Sequence, residues 1–230
     1  SNVGLLASFP VGKVEFLELY PLTFEEFLWA AQQPRLVKAF EELNLSKVAH
    51  EKLFSVLMDY YFVGGMPEAV DAWFNSHGDP SIIERTRRVS NVHGGLIAGY
   101  ERDFGKYSNK ISAQQINAVF RNIPKQLAQH IDDSVKRFKF KDVIKNVSRY
   151  QQLAGPIDWL EKSKLVSKCH PIDSQPTSPL PALSKDNIFK LFFFDVGLLG
   201  HLLGLSYREH REQGFSYKGY IAENFVQNEW

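Results

Sequence analysis

The stretch that decides the fold lies in the second half of the chain and reads Arg149-Tyr-Gln-Gln-Leu-Ala-Gly-Pro-Ile-Asp-Trp-Leu-Glu-Lys-Ser-Lys-Leu-Val-Ser-Lys-Cys-His170. Leu153, Ile157 and Leu160 recur at helical spacing, which predicts an amphipathic helix over about 149–164. The Gly155-Pro156 pair predicts a break or kink in that helix, because proline cannot donate a backbone hydrogen bond. The last six residues predict a short strand.

The elements on either side of this stretch complete an ordered module. Upstream, we predict helices over about 112–122 and 141–147, with a second helix start at Pro124 between them. Phe138-Lys-Phe140 adds a short apolar–basic alternation. Downstream, a polar loop over 173–181 leads to a second, largely buried strand over 187–194. Three helices followed by two strands is the order of a winged-helix module.

The amino-terminal half is predicted to be helical behind one leading strand. Loose alternation over Val14–Tyr20 predicts that strand, which has no partner strand nearby. Thr23 and Glu26 have the spacing of a capping box, which predicts a helix start. Further helices are expected at about 34–43, 46–62, 66–75 and 81–105. The sequence therefore predicts a mainly α fold with a small β component.

The composition is that of an ordinary folded protein. The 230 residues are 44% hydrophobic and 23% charged, which excludes a disordered chain. No apolar run reaches the ~18–20 residues that a transmembrane helix needs, so we expect no membrane partner. The single cysteine, Cys169, excludes an internal disulfide and a cysteine-based zinc site, and it fits a reducing, cytoplasmic compartment.

The net charge of +1 hides a strong asymmetry along the chain. Residues 1–84 hold 5 Lys/Arg against 12 Asp/Glu, whereas residues 134–168 hold 9 against 3. A basic block of this kind is where an acidic polymer would bind. The alternative is a solvated helical surface with no partner.

The sequence contains no complete active site. Gly12-Lys13 lacks both the glycine spacing and the hydroxyl residue of a phosphate-binding loop, because Val14 follows the lysine. Gly214 and Gly219 are one residue too far apart for a nucleophile elbow. The seven histidines form no zinc-binding pair on one helix, so no metal site is expected. We therefore expect this chain by itself not to be an enzyme.

Six short motifs together resemble a known protein family. They are Phe9–Phe16, Tyr20–Leu28, Tyr61–Val70, Tyr100–Phe104, Lys190–Leu199 and Gly219–Val226. The chain resembles archaeal and bacterial ATP-binding proteins of the AAA+ superfamily that carry a C-terminal domain of unknown function. The resemblance runs through the whole chain. The six motifs are specific together, whereas any one of them alone would not be.

The resemblance implies a domain organisation and a longer, prokaryotic parent protein. Residues 1–20 would be the tail of the nucleotide-binding core, 21–105 a helical lid, 106–200 a winged helix, and 201–230 the start of an incomplete α/β domain similar to restriction endonucleases. The phosphate loop would lie upstream of this chain. The resemblance thus implies ATP and magnesium for the parent and none for this chain, and a homo-oligomer formed through the parent core.

The basic block supplies the candidate nucleic-acid contacts. In winged helices the third helix enters the major groove, so duplex DNA is the expected partner. Phosphate contacts would come from the basic side chains, and adenine edges could be read by two glutamines. The candidates are Lys136, Arg137, Lys139, Lys141, Lys145, Arg149, Gln151, Gln152, Lys162, Lys164 and Lys168.

Further candidates follow from the resemblance, each with an alternative. Glu223 matches the first carboxylate of a nuclease site, or it is an acid near a helix N-terminus. Arg85, Arg87 and Arg88 could face a nucleotide phosphate, or they form a solvated basic turn.

The alternative function is a protein-interaction or ring-assembly scaffold without nucleic-acid binding. The aromatics Trp29, Tyr60, Tyr61 and Trp73 would favour it if they were exposed, and they are core residues otherwise.

Overall fold

The computed structural model describes residues 15, 17–43, 46–75, 80–107, 112–129, 137–172, 185–212 and 219–229. Within them the chain is mainly helical with one small antiparallel sheet, as predicted. The elements are α1 (Phe24–Ala30), α2 (Pro34–Glu41), α3 (Lys47–Val63), α4 (Pro67–Phe74), α5 (Ile82–Tyr107), α6 (Ala113–Ala128), α7 (Tyr150–Lys162), β1 (Val166–Cys169), β2 (Lys190–Phe193), α8 (Val196–Leu202), α9 (Tyr207–Arg211) and α10 (Gly219–Asn228).

The amino-terminal helices begin and end where local chemistry favours it. The predicted capping box is confirmed, since Thr23 Oγ1 accepts from Glu26 N and the Glu26 carboxylate accepts from Thr23 N. Ser46 caps α3 in the same way, with its hydroxyl accepting from Ala49 N. Gly64 ends α3 with a positive φ of 72°.

The predicted leading strand is wrong for the described part of that segment. Residues 17–20 are in neither a strand nor a helix. Leu17 and Leu19 are 86% and 87% exposed, so the apolar positions of the alternation face solvent. No strand of the described residues pairs with this segment, and an unpaired strand is not stable in water. Val14 and Phe16 lie outside the described residues.

Two prolines that were expected to interrupt helices lie inside continuous ones. The chain runs helically through Pro124 in α6 and through Pro156 in α7. Both prolines are buried, so packing against the core offsets the backbone hydrogen bond that each removes. The predicted helix start at Pro124 and a break at Gly155-Pro156 are therefore wrong, whereas the alternative, a kink at Gly155-Pro156, stays a prediction.

The predicted helix over 141–147 is replaced by turns. Asp142 and Asn146 each have a φ of 67°, in the left-handed region. A single such residue ends a right-handed helix, and aspartate and asparagine tolerate this conformation best among residues with a side chain. Helical spacing of the apolar residues was therefore insufficient to form a helix here.

The two strands pair as predicted, and their register is set by long-range contacts. β1 and β2 are antiparallel, with Val166 opposite Phe193 and Lys168 opposite Leu191. On the other side of β2, the backbone N–H of Phe138 donates to the carbonyl of Phe189 at 2.7 Å. The segment around Phe138 thus lies against the residues that lead into β2.

One hydrophobic core extends from α1 through the sheet to α10. Tyr60, Tyr61 and Trp73 belong to it, so they are core residues, while Trp29 is 54% exposed. None of the helices in the described ranges combines the length with the apolarity that crossing a bilayer requires.

Candidate nucleic-acid interface

A group of exposed cations lies in residues 137–149, which we call the basic arm. The arm carries Arg137, Lys139, Lys141, Lys145 and Arg149 against one carboxylate, Asp142. All five cations are exposed. Among the described residues, none of the five forms an ion pair with a carboxylate. Lys136 lies outside the described residues.

Aromatic packing orients the start of the arm. Phe138 is buried, and its ring lies 5.7 Å from that of Phe140, which in turn lies 5.5 Å from that of Tyr150. Alternate side chains of an extended segment point to opposite faces. Because Phe138 and Phe140 point inward, Arg137 and Lys139 point to solvent.

A glutamine on α6 holds the backbone of the arm in place. The side-chain amide of Gln126 donates to the carbonyl of Lys139 at 2.7 Å, and its oxygen accepts from Lys139 N at 2.8 Å. This pair of bonds satisfies both backbone groups of Lys139 without using its ammonium. The lysine side chain therefore stays available while its backbone is anchored.

The two glutamines at the start of α7 have different environments. The Gln152 oxygen accepts from the backbone nitrogens of Ser148 and Arg149, at 3.2 and 3.1 Å. It therefore caps the helix entry, and its oxygen is engaged within the chain. Gln151 is exposed on the first turn. Of the two, Gln151 is the one whose side chain has no partner in the described part of the chain, so it is available to meet a base edge.

The carboxyl-terminal part of the basic block is largely neutralised within the molecule. Lys168 Nζ lies 2.6 Å from both Asp158 and Glu161, and its side chain is only 12% exposed. Burial lowers the pKa of Lys168, but its hydrogen bonds to Asp158 and Glu161 outweigh this and leave the pKa above its usual value. Lys164 pairs with Glu18 at 3.1 Å.

Lys162 differs from these two lysines. It lies exposed in the last turn of α7, and the described residues offer it no carboxylate partner. The structure therefore divides the predicted DNA contacts into an exposed set, comprising the basic arm with Lys162, and an internally paired set, comprising Lys164 and Lys168.

The three arginines at the start of α5 have three different environments. Arg85 lies near Asp59 and Tyr207: burial raises the pKa of both groups, and the positive charge of Arg85 opposes that rise. Arg88 pairs with Glu84 at 2.8 Å, one turn earlier. Arg87 is exposed, and no carboxylate of the described residues pairs with it.

Glu223 lies on α10 and forms an ion pair with Lys190 of β2. Its neighbour Asn224 is fully buried and bonds to both backbone groups of Phe193: the amide oxygen accepts from the N–H at 2.7 Å, and the amide nitrogen donates to the carbonyl at 2.8 Å. Sequence reasoning missed Asn224. Its inward position on an amphipathic helix was the available signal.

Sequence reasoning also missed Asp195, which is 1% exposed. Its carboxylate accepts from the backbone nitrogens of Gly65 at 2.7 Å and Leu198 at 2.8 Å. Burial raises the pKa of Asp195 to about 6, although the bonds from Leu198, Gly65 and Gly197 oppose the shift. The bonds join α8 to the loop after α3, so the role of this carboxylate is structural.

The family model described as Domain of unknown function (DUF8612) matches residues 55–209. No curated protein and no solved structure gives a significant match to the chain. The matched region begins within α3 and ends within α9, so it contains the basic arm, α7 and both strands. Because the match covers well over half of the chain, the protein belongs to the DUF8612 family.

Proposed function

We propose that this chain binds duplex DNA through the basic arm, Gln151 and Lys162. The observation that carries the proposal is the set of exposed cations that lack carboxylate partners among the described residues. Phosphate groups would provide those partners, and their pairing with the protein cations would release counterions condensed on the DNA. Lys164 and Lys168 contribute little in this proposal, because breaking their ion pairs would offset the gain from a phosphate contact.

The order of elements around the arm supports a winged-helix interpretation. The Phe138–Phe140 segment bonds through Phe138 to Phe189, the residue before β2. The turns over 141–149 occupy the place of a second helix, and α7 and the two strands follow them. In winged helices, the helix before the strands lies in the major groove and the surrounding loops contact the phosphates. This would put Gln151 near base edges and the arm along the backbone.

The test is a salt titration of binding to short DNA of random sequence. A labelled duplex of about 20 base pairs, measured by fluorescence anisotropy from about 50 to 300 mM salt, should give a log–log slope of about −4.5 for five phosphate contacts. No binding at ~50 mM salt would end the proposal.

A matched pair of triple variants locates the interface. K139A/K141A/K145A should reduce the magnitude of the slope by about 2 to 3 and weaken binding at every salt concentration. K38A/K47A/K52A removes three exposed lysines from the acidic half and should leave the slope unchanged. Equal effects of the two variants would show that binding depends only on net charge.

We also propose, from the motif resemblance, that the chain is the lid and winged helix of an AAA+-like ATPase. ATP and magnesium would then bind to the core of the parent protein, which would assemble as a homo-oligomer. Arg87 is the best-placed phosphate-facing arginine in this proposal, since it is exposed on α5. The full-length reading frame tests it, because a phosphate loop should be encoded upstream.

A second candidate function is a protein-interaction scaffold without DNA binding. The exposed apolar side chains of Leu17, Leu19 and Trp29 favour it, since they lie in the acidic amino-terminal half. The scaffold function predicts that the chain binds a partner protein independently of salt, and that K139A/K141A/K145A leaves this binding intact. The same titration therefore separates the two candidates.

A further inference from the structure

The outer edge of β1 has backbone groups that face away from its partner strand. In β2, both the N–H and the C=O of Phe193 bond to the side chain of Asn224, on the side away from β1. In an antiparallel pair, residues alternate between those that exchange backbone bonds and those that do not. Phe193 and its partner Val166 are therefore a non-bonded pair, and so are Leu191 and Lys168, two residues further along.

This register points the N–H and C=O of Val166 and Lys168 toward the free edge of the sheet. Within the described ranges, none of these four groups has a backbone or side-chain partner. Val166 is only 4% exposed, and buried backbone groups in proteins are almost always paired. The edge therefore presents two donors and two acceptors at the two-residue spacing of a β-ladder.

A cleft of about 560 Å³ runs along this edge. Val166, Ser167 and Lys168 of β1 line it, together with the segment from Tyr20 to Thr23. Phe194 adds an apolar surface. A volume of this size accommodates a few residues of extended chain, for which the spacing to β1 would be about 4.8 Å.

Charge defines the kind of strand that fits. Both lysines that line the cleft are already neutralised, since Lys164 pairs with Glu18 and Lys168 pairs with two carboxylates. Glu229 lines the cleft as well, on the side of α10. Glu161 and Glu229 line the cleft, and Glu18 and Asp158 pair with its two lysines, so four carboxylates lie beside two ammonium groups. This excess of negative charge favours a cationic occupant.

We propose that this cleft binds an extended, cationic peptide segment of a partner protein, which adds to β1 as a third strand. Main-chain bonds to Val166 and Lys168 would supply affinity, and alternate apolar side chains would pack on Val166 and Phe194. This partner site is separate from the basic arm. It requires no DNA binding.

The first test uses the free protein. Amide hydrogen exchange, followed by NMR, should be fast at Val166 and Lys168 and slow at Ser167 and Cys169, whose backbones face β2. Equal protection at all four amides would overturn the proposal, because the edge would then be already paired.

The second test uses a labelled hexapeptide that alternates lysine and valine. It should bind at least about tenfold more tightly than the glutamate–valine counterpart, and it should protect the Val166 and Lys168 amides from exchange. Two N-methylated isomers, one methylated at the lysines and one at the valines, provide the control. Since only one set of peptide N–H groups can face β1, one isomer should lose binding and the other should keep it.

Equal binding of the two isomers would overturn the proposal. It would also be overturned if the protein self-associated at high concentration and thereby displaced the peptide. Because the modification is made in the peptide, protein folding is not at risk. An excess of duplex DNA should leave peptide binding unchanged, so failure of this proposal is distinguishable from failure of DNA binding.

Discussion

The carboxylate of Asp195 accepts a hydrogen bond of 2.7 Å from the backbone N–H of Gly65, 130 residues earlier in the chain. Close packing surrounds this bond. A Cβ on Gly64 would lie 2.4 Å from Asp195 Oδ1, and one on Gly197 would lie 2.4 Å from the carbonyl of Val63. The Gly-Gly pair after α3 and the Asp-Val-Gly start of α8 therefore form one junction, in which a bare backbone is required on both sides.

Replacing Asp195 by alanine should destabilise the fold strongly. The backbone N–H groups of Gly65 and Leu198 would lose their acceptor while remaining buried, and each such loss costs about 1–3 kcal/mol. Urea unfolding should show a decrease of about 2–5 kcal/mol in the free energy of unfolding. D186A is the control, since Asp186 is exposed, and it should unfold like the wild type.

Two glycine substitutions should have opposite effects on stability. G64A introduces a Cβ at a φ of +72° and into contact with Asp195, so it should cost about 3 kcal/mol or prevent folding. G95A lies at an exposed position of α5 with nothing within 4 Å of the new Cβ, and it should stabilise by about 0.5–1 kcal/mol. Thermal unfolding of both variants checks this. If G64A were as stable as the wild type, the close packing described for the junction would be contradicted.

His93 should make the fold less stable in acid. Its Nε2 lies 2.9 Å from the carbonyl of Val63, and burial lowers its pKa to about 4, against the effect of that bond. Because the folded pKa lies below the unfolded value, this contribution is complete above about pH 6.5 and is lost as the pH falls toward 4. The change amounts to roughly 3 kcal/mol.

H93Q keeps a donor near Val63 and removes the titration. The stability advantage of the wild type over H93Q should therefore shrink as the pH is lowered from 7 to 4, as measured by urea unfolding at each pH. Asp195 acts in the opposite sense, because its raised pKa of about 6 stabilises the protonated fold below that pH. The comparison of the two proteins cancels the Asp195 contribution, and a constant difference would contradict the assignment.

Asn224 should be needed for the edge of β2 to stay paired. N224A removes the acceptor of the Phe193 N–H and the donor to the Phe193 carbonyl, so two buried groups lose their partners. We expect a loss of about 2–4 kcal/mol in the free energy of unfolding. N187A, at an exposed position before the same strand, should be nearly neutral. Similar losses in both variants would show that the effect is not specific to this pair of bonds.

Local patterns predicted the position of an element correctly where the local signal and the burial of one apolar face in the fold agreed. The capping box of Thr23 and Glu26 and the helical spacing of Leu153, Ile157 and Leu160 each coincided with an amphipathic face that the fold buries. Local patterns were misleading where the tertiary structure outweighed them, as at the buried Pro124 and Pro156, or where left-handed residues intervened, as at Asp142 and Asn146.

The candidate site was predicted only in part for a related reason. The excess of positive charge before α7 was visible from composition, and the exposed arm lies in it. Which cations are available depends on distant carboxylates: Glu18 reaches Lys164 across 146 positions of chain, a pairing that no local pattern encodes. Composition counts charges, whereas only packing decides which of them are paired.

The sequence by itself determined the mainly helical character, the two strands and the basic block, because each arises from side chains that are neighbours along the chain. Only the tertiary structure decided that Asp195 joins α8 to the loop after α3, that Asn224 completes the edge of β2, and that the outer edge of β1 lacks a partner among the described residues. These features depend on groups far apart in sequence that meet when the apolar faces are buried, and hydrogen bonding then selects among the possible contacts.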